Sequence, residues 1–108
     1  MQGTQAIIDG CTHNKHSVKR LVYTSSIATM MMSKEPKLFY DENDWSDDSV
    51  SSIYEKSKTR SKKLVFEAGK GGLEVCSILP AITFGPTLNS DQFEIGEGIK
   101  LLMFGEMP

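Results

Sequence analysis

Small and apolar side chains recur at Thr4, Ile7, Ile8 and Cys11, the i, i+3, i+4, i+7 spacing of one helix face. The helix this predicts runs out in the polar stretch from Thr12 to Ser17. The period then changes. Arg20-Leu21-Val22-Tyr23 is a short run of strand formers closed by the hydroxyl cluster Thr24, Ser25 and Ser26. Such a run predicts a buried parallel strand, whose carboxyl end is where ligands sit in open α/β sheets. Positions 33–52 are acidic, aperiodic and interrupted by Pro36, the pattern of a long surface loop. Long loops at that edge of a sheet are often functional, so this one is expected to border a substrate.

A serine cap at Ser51 or Ser52 is expected to start a helix through Tyr54, which buries Leu64, Val65 and Ala68. Gly69, Gly71 and Gly72 are expected to stop it. Leu73-Glu74-Val75-Cys76-Ser77-Ile78-Leu79 predicts a second strand ending at Pro80, and Asp91 to Phe104 a weaker helix interrupted by Gly96 and Gly98. Strand, loop, helix, strand is the βαβ order of a parallel sheet. The expected architecture is a three-layer α/β piece, with parallel strands near 20–24 and 73–79 and the Tyr54 helix on one face.

Composition narrows the classes. A length of 108 residues allows one domain, and 39% hydrophobic residues suffice for a core. A formal net charge of −2 gives no reason to expect nucleic-acid or membrane partners. The apolar runs are far too short to span a bilayer, and no secretory leader is recognisable at the N-terminus. Cys11 and Cys76 fit reduced core residues, so a cytoplasmic location is expected. The cluster Lys56, Lys58, Arg60, Lys62 and Lys63 spreads around the helix cylinder without an aromatic stacking platform, which makes it a solvated helix face rather than a nucleic-acid patch. Cys11, His13 and His16 match no common metal spacing, and no metal is expected. Met30, Met31 and Met32 are read as pocket or core lining.

The candidate chemistry lies in Tyr54-Glu55-Lys56-Ser57-Lys58. Tyr54 and Lys58, four apart, share one helix face, and a serine at the end of the 20–24 strand can be brought opposite the phenol. These groups can protonate a carbonyl oxygen while a nicotinamide delivers hydride. The spacing alone is common, and the flanking strands give it its context. The chain contains no glycine-rich phosphate turn between a strand and a helix.

Taken together, the residues resemble the central part of an extended short-chain dehydrogenase/reductase, in the NAD-dependent epimerase/dehydratase superfamily. The resemblance is greatest to its dihydroflavonol-reductase-like and 3β-hydroxysteroid-dehydrogenase-like members. Gly3-Thr4 and Ile7 to Cys11 resemble the helix before the catalytic strand, and Val18 to Ser26 that strand itself. Asp41 to Asp47, around Trp45, resembles an acidic loop, Tyr54 to Lys58 the catalytic motif, and Leu79-Pro80 through Gly85-Pro86 the segment beside the nicotinamide. Departures are Ala6 where asparagine is frequent, Ser61-Lys62 where Ala-Glu is frequent, and Ala81 where glycine is frequent.

The fold implied is part of a Rossmann-type doubly wound parallel sheet. The chain is expected to form one partial domain, the catalytic half, without the N-terminal dinucleotide-binding strands and most of the C-terminal substrate region.

The resemblance also implies roles. Tyr54 would be the general acid in reduction and the base in oxidation, with the Lys58 ammonium favouring the phenolate and donating to the nicotinamide ribose. Ser26 would donate to the substrate oxygen, with Ser25 the rival. Ser26 matches the family position and shares the two-residue alternation of Thr24. Thr24, Ser25, Tyr54, Lys58, Pro80, Ala81 and Ile82 would contact the cofactor, NADP or NAD, and the substrate would be a small carbonyl compound or secondary alcohol. Nucleotide-sugar epimerases and dehydratases use the same three groups, so that reading stays open, as does a non-catalytic fragment or binding protein on the same scaffold. With its pyrophosphate site missing, the 108-residue chain alone is expected neither to bind NAD(P) tightly nor to turn over substrate. Its open sheet edges are expected to promote association.

Overall fold

The computed structural model describes residues 2–13, 17–83, 85, 99, 101 and 103–105. Five elements follow one another: α1 (Gln2–His13), β1 (Arg20–Thr24), α2 (Ala28–Met31), α3 (Ile53–Lys70) and β2 (Glu74–Ile78). The two strands pair in parallel from Arg20↔Glu74 through Val22↔Cys76 to Thr24↔Ile78. The pairing direction persists beyond them, because Ser25 N–H donates to the Ile78 carbonyl at 2.8 Å and Ile27 N–H to the Pro80 carbonyl at 3.1 Å. Two expected features, parallel strands and an intervening helix that begins just before Tyr54, are therefore present.

Side-chain alternation divides the sheet into two unlike faces. Leu21, Tyr23, Val75 and Ser77 are half-buried, whereas Arg20, Val22, Thr24, Glu74, Cys76 and Ile78 are exposed. The helical layer lies on the first face, where Ile8 of α1 and Val65 of α3 join Leu73 as the buried hydrophobic residues among those described. Val22 and Ile78 on the other face are 52% and 57% exposed. Among the described residues the piece is thus two-layered, not three-layered.

The start and end of α3 follow from capping chemistry. Ser52 is the N-cap: its hydroxyl accepts from Glu55 N–H at 3.4 Å, and the Glu55 carboxylate accepts from Ser52 N–H at 2.5 Å. This reciprocal pair satisfies two of the amides orphaned at a helix start. At the other end Gly71 N–H donates to the Ala68 carbonyl, and Gly72 turns the chain at φ 96°, a region costly for a residue with a Cβ. Gly69 is inside the helix rather than after it. A Cβ there would meet Val75 Cγ2 at 2.6 Å, so the absence of a side chain sets how closely α3 approaches β2.

Two packing details depart from expectation. Val65 is buried as expected, but Leu64 and Ala68 are only half-buried, while Thr59, Ser61 and Lys62 are buried. The contact between α1 and α3 is made partly by small hydroxyls, with Thr4 Oγ1 donating to Ser61 Oγ at 3.1 Å. The loop over 33–52 is also preceded by the one-turn helix α2. The expected helix over 91–104 lies largely outside the described residues, as does His16.

Candidate functional site at the carboxyl end of the strands

Lys58 is one turn into α3, on the side facing the end of β1. Its ammonium donates to the Thr24 carbonyl at 3.4 Å and stands 5.9 Å from the centroid of the Tyr54 ring. The capping box fixes where α3 begins and hence where this face points. Tyr54, in the first turn, is 57% exposed, so its phenol is open to a ligand.

The two candidate serines have different surroundings. Ser25 is 4% exposed, and its hydroxyl has no hydrogen-bond partner. Ser26 is half-buried, and its Oγ accepts from Ala28 N–H at 3.2 Å. That bond anchors the oxygen while leaving the hydroxyl proton available to another acceptor. No hydrogen bond joins Ser26 to Tyr54 among the described residues. Lys58, Thr24 and Tyr54 are thus brought together by direct contacts, and Ser26 follows two residues after Thr24 at the head of α2.

The third segment also passes this end of the sheet. The Pro80 carbonyl accepts from Ile27 N–H, which ties the chain after β2 to the turn after Ser26. Pro80, Ala81 and Ile82 are exposed, and Thr83 Oγ1 donates back to the Ala81 carbonyl at 3.3 Å.

Sequence reasoning missed the device that holds α2 and the acidic loop in place. Thr29 is fully buried and its hydroxyl donates to the Ser26 carbonyl at 2.8 Å. Ser46 is buried beside it. The Ser46 hydroxyl donates to the Ala28 carbonyl at 2.7 Å and accepts from Met32 N–H at 2.9 Å, while its own amide donates to the Thr29 carbonyl. Asp47 N–H adds a bond to the Met32 carbonyl at 2.7 Å. The acidic loop is therefore sewn to α2, and α2 to the carbonyl of Ser26.

Further along, the carboxyl of Asp44 is lowered from its ordinary pKa, first by its hydrogen-bonded ion pair with Lys37 and then by the Asp41 amide. Asp47 is likewise lowered by the Ser49 amide and hydroxyl.

The loop also reaches α3. Trp45 meets Phe66 edge-on, with ring centroids 6.2 Å apart at 78°, and the Lys62 ammonium stands 4.3 Å from the Trp45 ring centroid. Lys62 is 4% exposed, so the expectation of a solvated helix face fails at this residue. Its burial lowers the pKa of the amine below the ordinary lysine value. Among the described residues no cluster of three metal-ligating side chains occurs, and no helix is long and apolar enough to cross a membrane.

Comparison with known proteins gives this geometry a context. A model of the 3-beta hydroxysteroid dehydrogenase/isomerase family matches residues 1–101. Dihydroflavonol 4-reductase of Solanum lycopersicum is 36% identical over 100 residues, covering 83% of this chain and 26% of the relative. Vestitone reductase of Medicago sativa is 37% identical over 91 residues, covering 76% and 28%. The 3beta-hydroxysteroid-dehydrogenase/decarboxylase isoform 1 of Arabidopsis thaliana is 34% identical over 87 residues, covering 80% and 19%. The chain spans about a quarter of the length of the curated reductases it matches.

Proposed function

Because the chain belongs to the 3-beta hydroxysteroid dehydrogenase/isomerase family, within the epimerase/dehydratase superfamily, we propose that it is the proton-transfer segment of an NAD(P)-dependent oxidoreductase. The reaction is reduction of a small-molecule carbonyl, or the reverse oxidation of a secondary alcohol. Tyr54 exchanges the proton with the substrate oxygen, Ser26 donates a hydrogen bond to that oxygen as charge develops, and Lys58 positions and polarises the phenol. The observation that carries this reading is the Lys58 ammonium, held between the Thr24 carbonyl and the Tyr54 ring at the carboxyl end of β1. The anchored Ser26 oxygen, with its proton free, supports its role over that of buried Ser25.

The residues present suit the nicotinamide end of the cofactor. Lys58 uses one ammonium hydrogen on Thr24, which leaves donors for ribose hydroxyls. The exposed residues Pro80 to Ile82 lie at the same end of the sheet, tied there through Ile27. When bound, the nicotinamide supplies or accepts the hydride. The chain's own groups do the rest: Lys58 orients, Tyr54 moves the proton, and Ser26 stabilises the developing oxyanion, a contribution of about 2–4 kcal/mol in sites of this kind. The pyrophosphate finds no glycine-rich cradle in these 108 residues, so affinity for the intact dinucleotide is expected to be weak here.

An NMR titration of the 108-residue chain with reduced nicotinamide mononucleotide tests the reading. Amide shifts should concentrate at Thr24, Lys58, Ala81 and Ile82, with weak affinity, and should vanish in Lys58→Met. Shifts confined to other surfaces would overturn it.

A further inference from the structure

A cavity of about 630 Å3 opens between the acidic loop and α3, and neither Tyr54 nor Ser26 lines it. Its size falls within the range of small-molecule sites, roughly 300–1,000 Å3. Met30, Trp45, Phe66 and Leu79 supply apolar lining, and Lys62 is part of its wall. Lysine is seldom buried without an anionic partner. Three carboxylates line the cavity, and none pairs with Lys62: Glu67 accepts from Lys70 at 2.6 Å, Asp41 accepts from Asn43 N–H at 2.8 Å, and Glu42 makes no ion pair with it. Among the described residues Lys62 has no hydrogen bond or ion pair, and its one polar contact is the face of Trp45. A lysine in an apolar wall, without a carboxylate to keep its proton, gives that proton up more readily than a solvated one.

We propose that Lys62 is a nucleophilic amine that takes planar aromatic aldehydes or ketones in this cavity as reversible imines. The lone pair of Nζ attacks the carbonyl carbon and a C–N bond forms. The carbonyl oxygen then leaves as water, carrying away both amine hydrogens. Water reverses the step, and no oxidant or reductant takes part. Trp45 and Phe66, already edge to face, offer the ring surface that favours an aromatic carbonyl over an aliphatic one. Lowering of the amine's pKa by burial supports the chemistry by raising the fraction of free base at neutral pH. The charged groups that face the cavity from the loop are Asp41 and Glu42, and those from α3 are Lys63, Glu67 and Lys70. A ring bearing an acid group has Lys63 within reach of the cavity mouth, since Lys70 is paired with Glu67.

The test is reductive trapping of the 108-residue chain with limiting 4-formylbenzoate and cyanoborohydride, read by peptide mass mapping of every lysine. Near pH 7, Lys62 should be modified severalfold faster than exposed Lys63 and Lys70, because burial raises its fraction of free base. The lead should shrink as pH rises towards 10.5, where exposed lysines also become free base. It should disappear in denaturing urea, where burial is lost, and an aliphatic aldehyde should show a smaller preference for Lys62. Labelling that follows exposure, with Lys63 and Lys70 ahead of Lys62, would overturn the proposal. So would a Lys62 lead that persists in urea, since it would then owe nothing to the cavity.

Discussion

Replacing Ser46 with alanine removes one hydroxyl and unfastens two elements. In the folded chain that oxygen donates to the Ala28 carbonyl at 2.7 Å and accepts from Met32 N–H at 2.9 Å, in a position only 5% exposed. Alanine keeps the volume within one atom, so the cost comes from polar groups left without this partner rather than from a cavity. A buried donor or acceptor deprived of its partner costs about 1–3 kcal/mol, which puts the pair at about 2–4 kcal/mol with some relief from entering water. That is a large part of the roughly 5–15 kcal/mol that holds an ordinary domain together. Hydrogen exchange at single amides is the sharpest assay. A local loss of about 2 kcal/mol at Met32 should lower its protection about thirtyfold. Protection at β1 and β2 should fall less if the opening is confined to α2 and the loop. Ser57→Ala, on the exposed side of α3, serves as the control and should change neither. Unchanged Met32 protection in Ser46→Ala would refute the claim that this hydroxyl fastens the loop to α2.

Ser52→Ala removes the N-cap of α3 and should cost about 1 kcal/mol, checked by urea unfolding; a loss near zero would mean that α3 is placed by packing alone. Lys62→Met keeps the stem and removes the ionisable head. Burial without an anionic partner disfavours the charged amine, so the variant should be more stable near pH 7. The pH dependence fixes the sign. Lys62 titrates below 10.5 when folded, so between the two values the unfolded chain binds more protons and stability rises with pH. In Lys62→Met that component of the rise between neutral pH and 10.5 should be absent, as measured by urea midpoints across the range.

The strands and the start of α3 were legible because their signals are local. Arg20 to Tyr23 and Val75 to Ile78 are continuous runs of strand formers, and Ser52 with Glu55 three residues on is a capping box written in the sequence. Tyr54 and Lys58 share a face by helix spacing alone, and the structure puts Lys58 within reach of both Tyr54 and the end of β1. What could not be read depends on tertiary contacts. Four-residue α2 has too few positions for a period, and buried Thr29, bonded to Ser26, and Ser46 across the loop hold it in place. The inner stripe of α3 uses Thr59, Ser61 and Lys62, residues that a search for apolar periodicity counts as solvent-facing. Ser46 carried a weak hint as the sequence neighbour of Trp45, a large ring in an acidic loop.

The central claim is that Tyr54 moves the proton in hydride transfer, and turnover tests it most directly. The part of this chain that aligns with the Solanum lycopersicum dihydroflavonol 4-reductase, 83% of its length, can replace the matched stretch of that enzyme, which supplies the rest of the fold. The measurement is kcat for dihydroflavonol reduction by that chimera, with Tyr54 intact and as the Tyr54→Phe variant. General acid–base catalysis contributes about 10²–10⁴-fold, so Tyr54→Phe should lower kcat by that factor. A Tyr54→Phe chimera that turns over as fast as its parent would contradict the account.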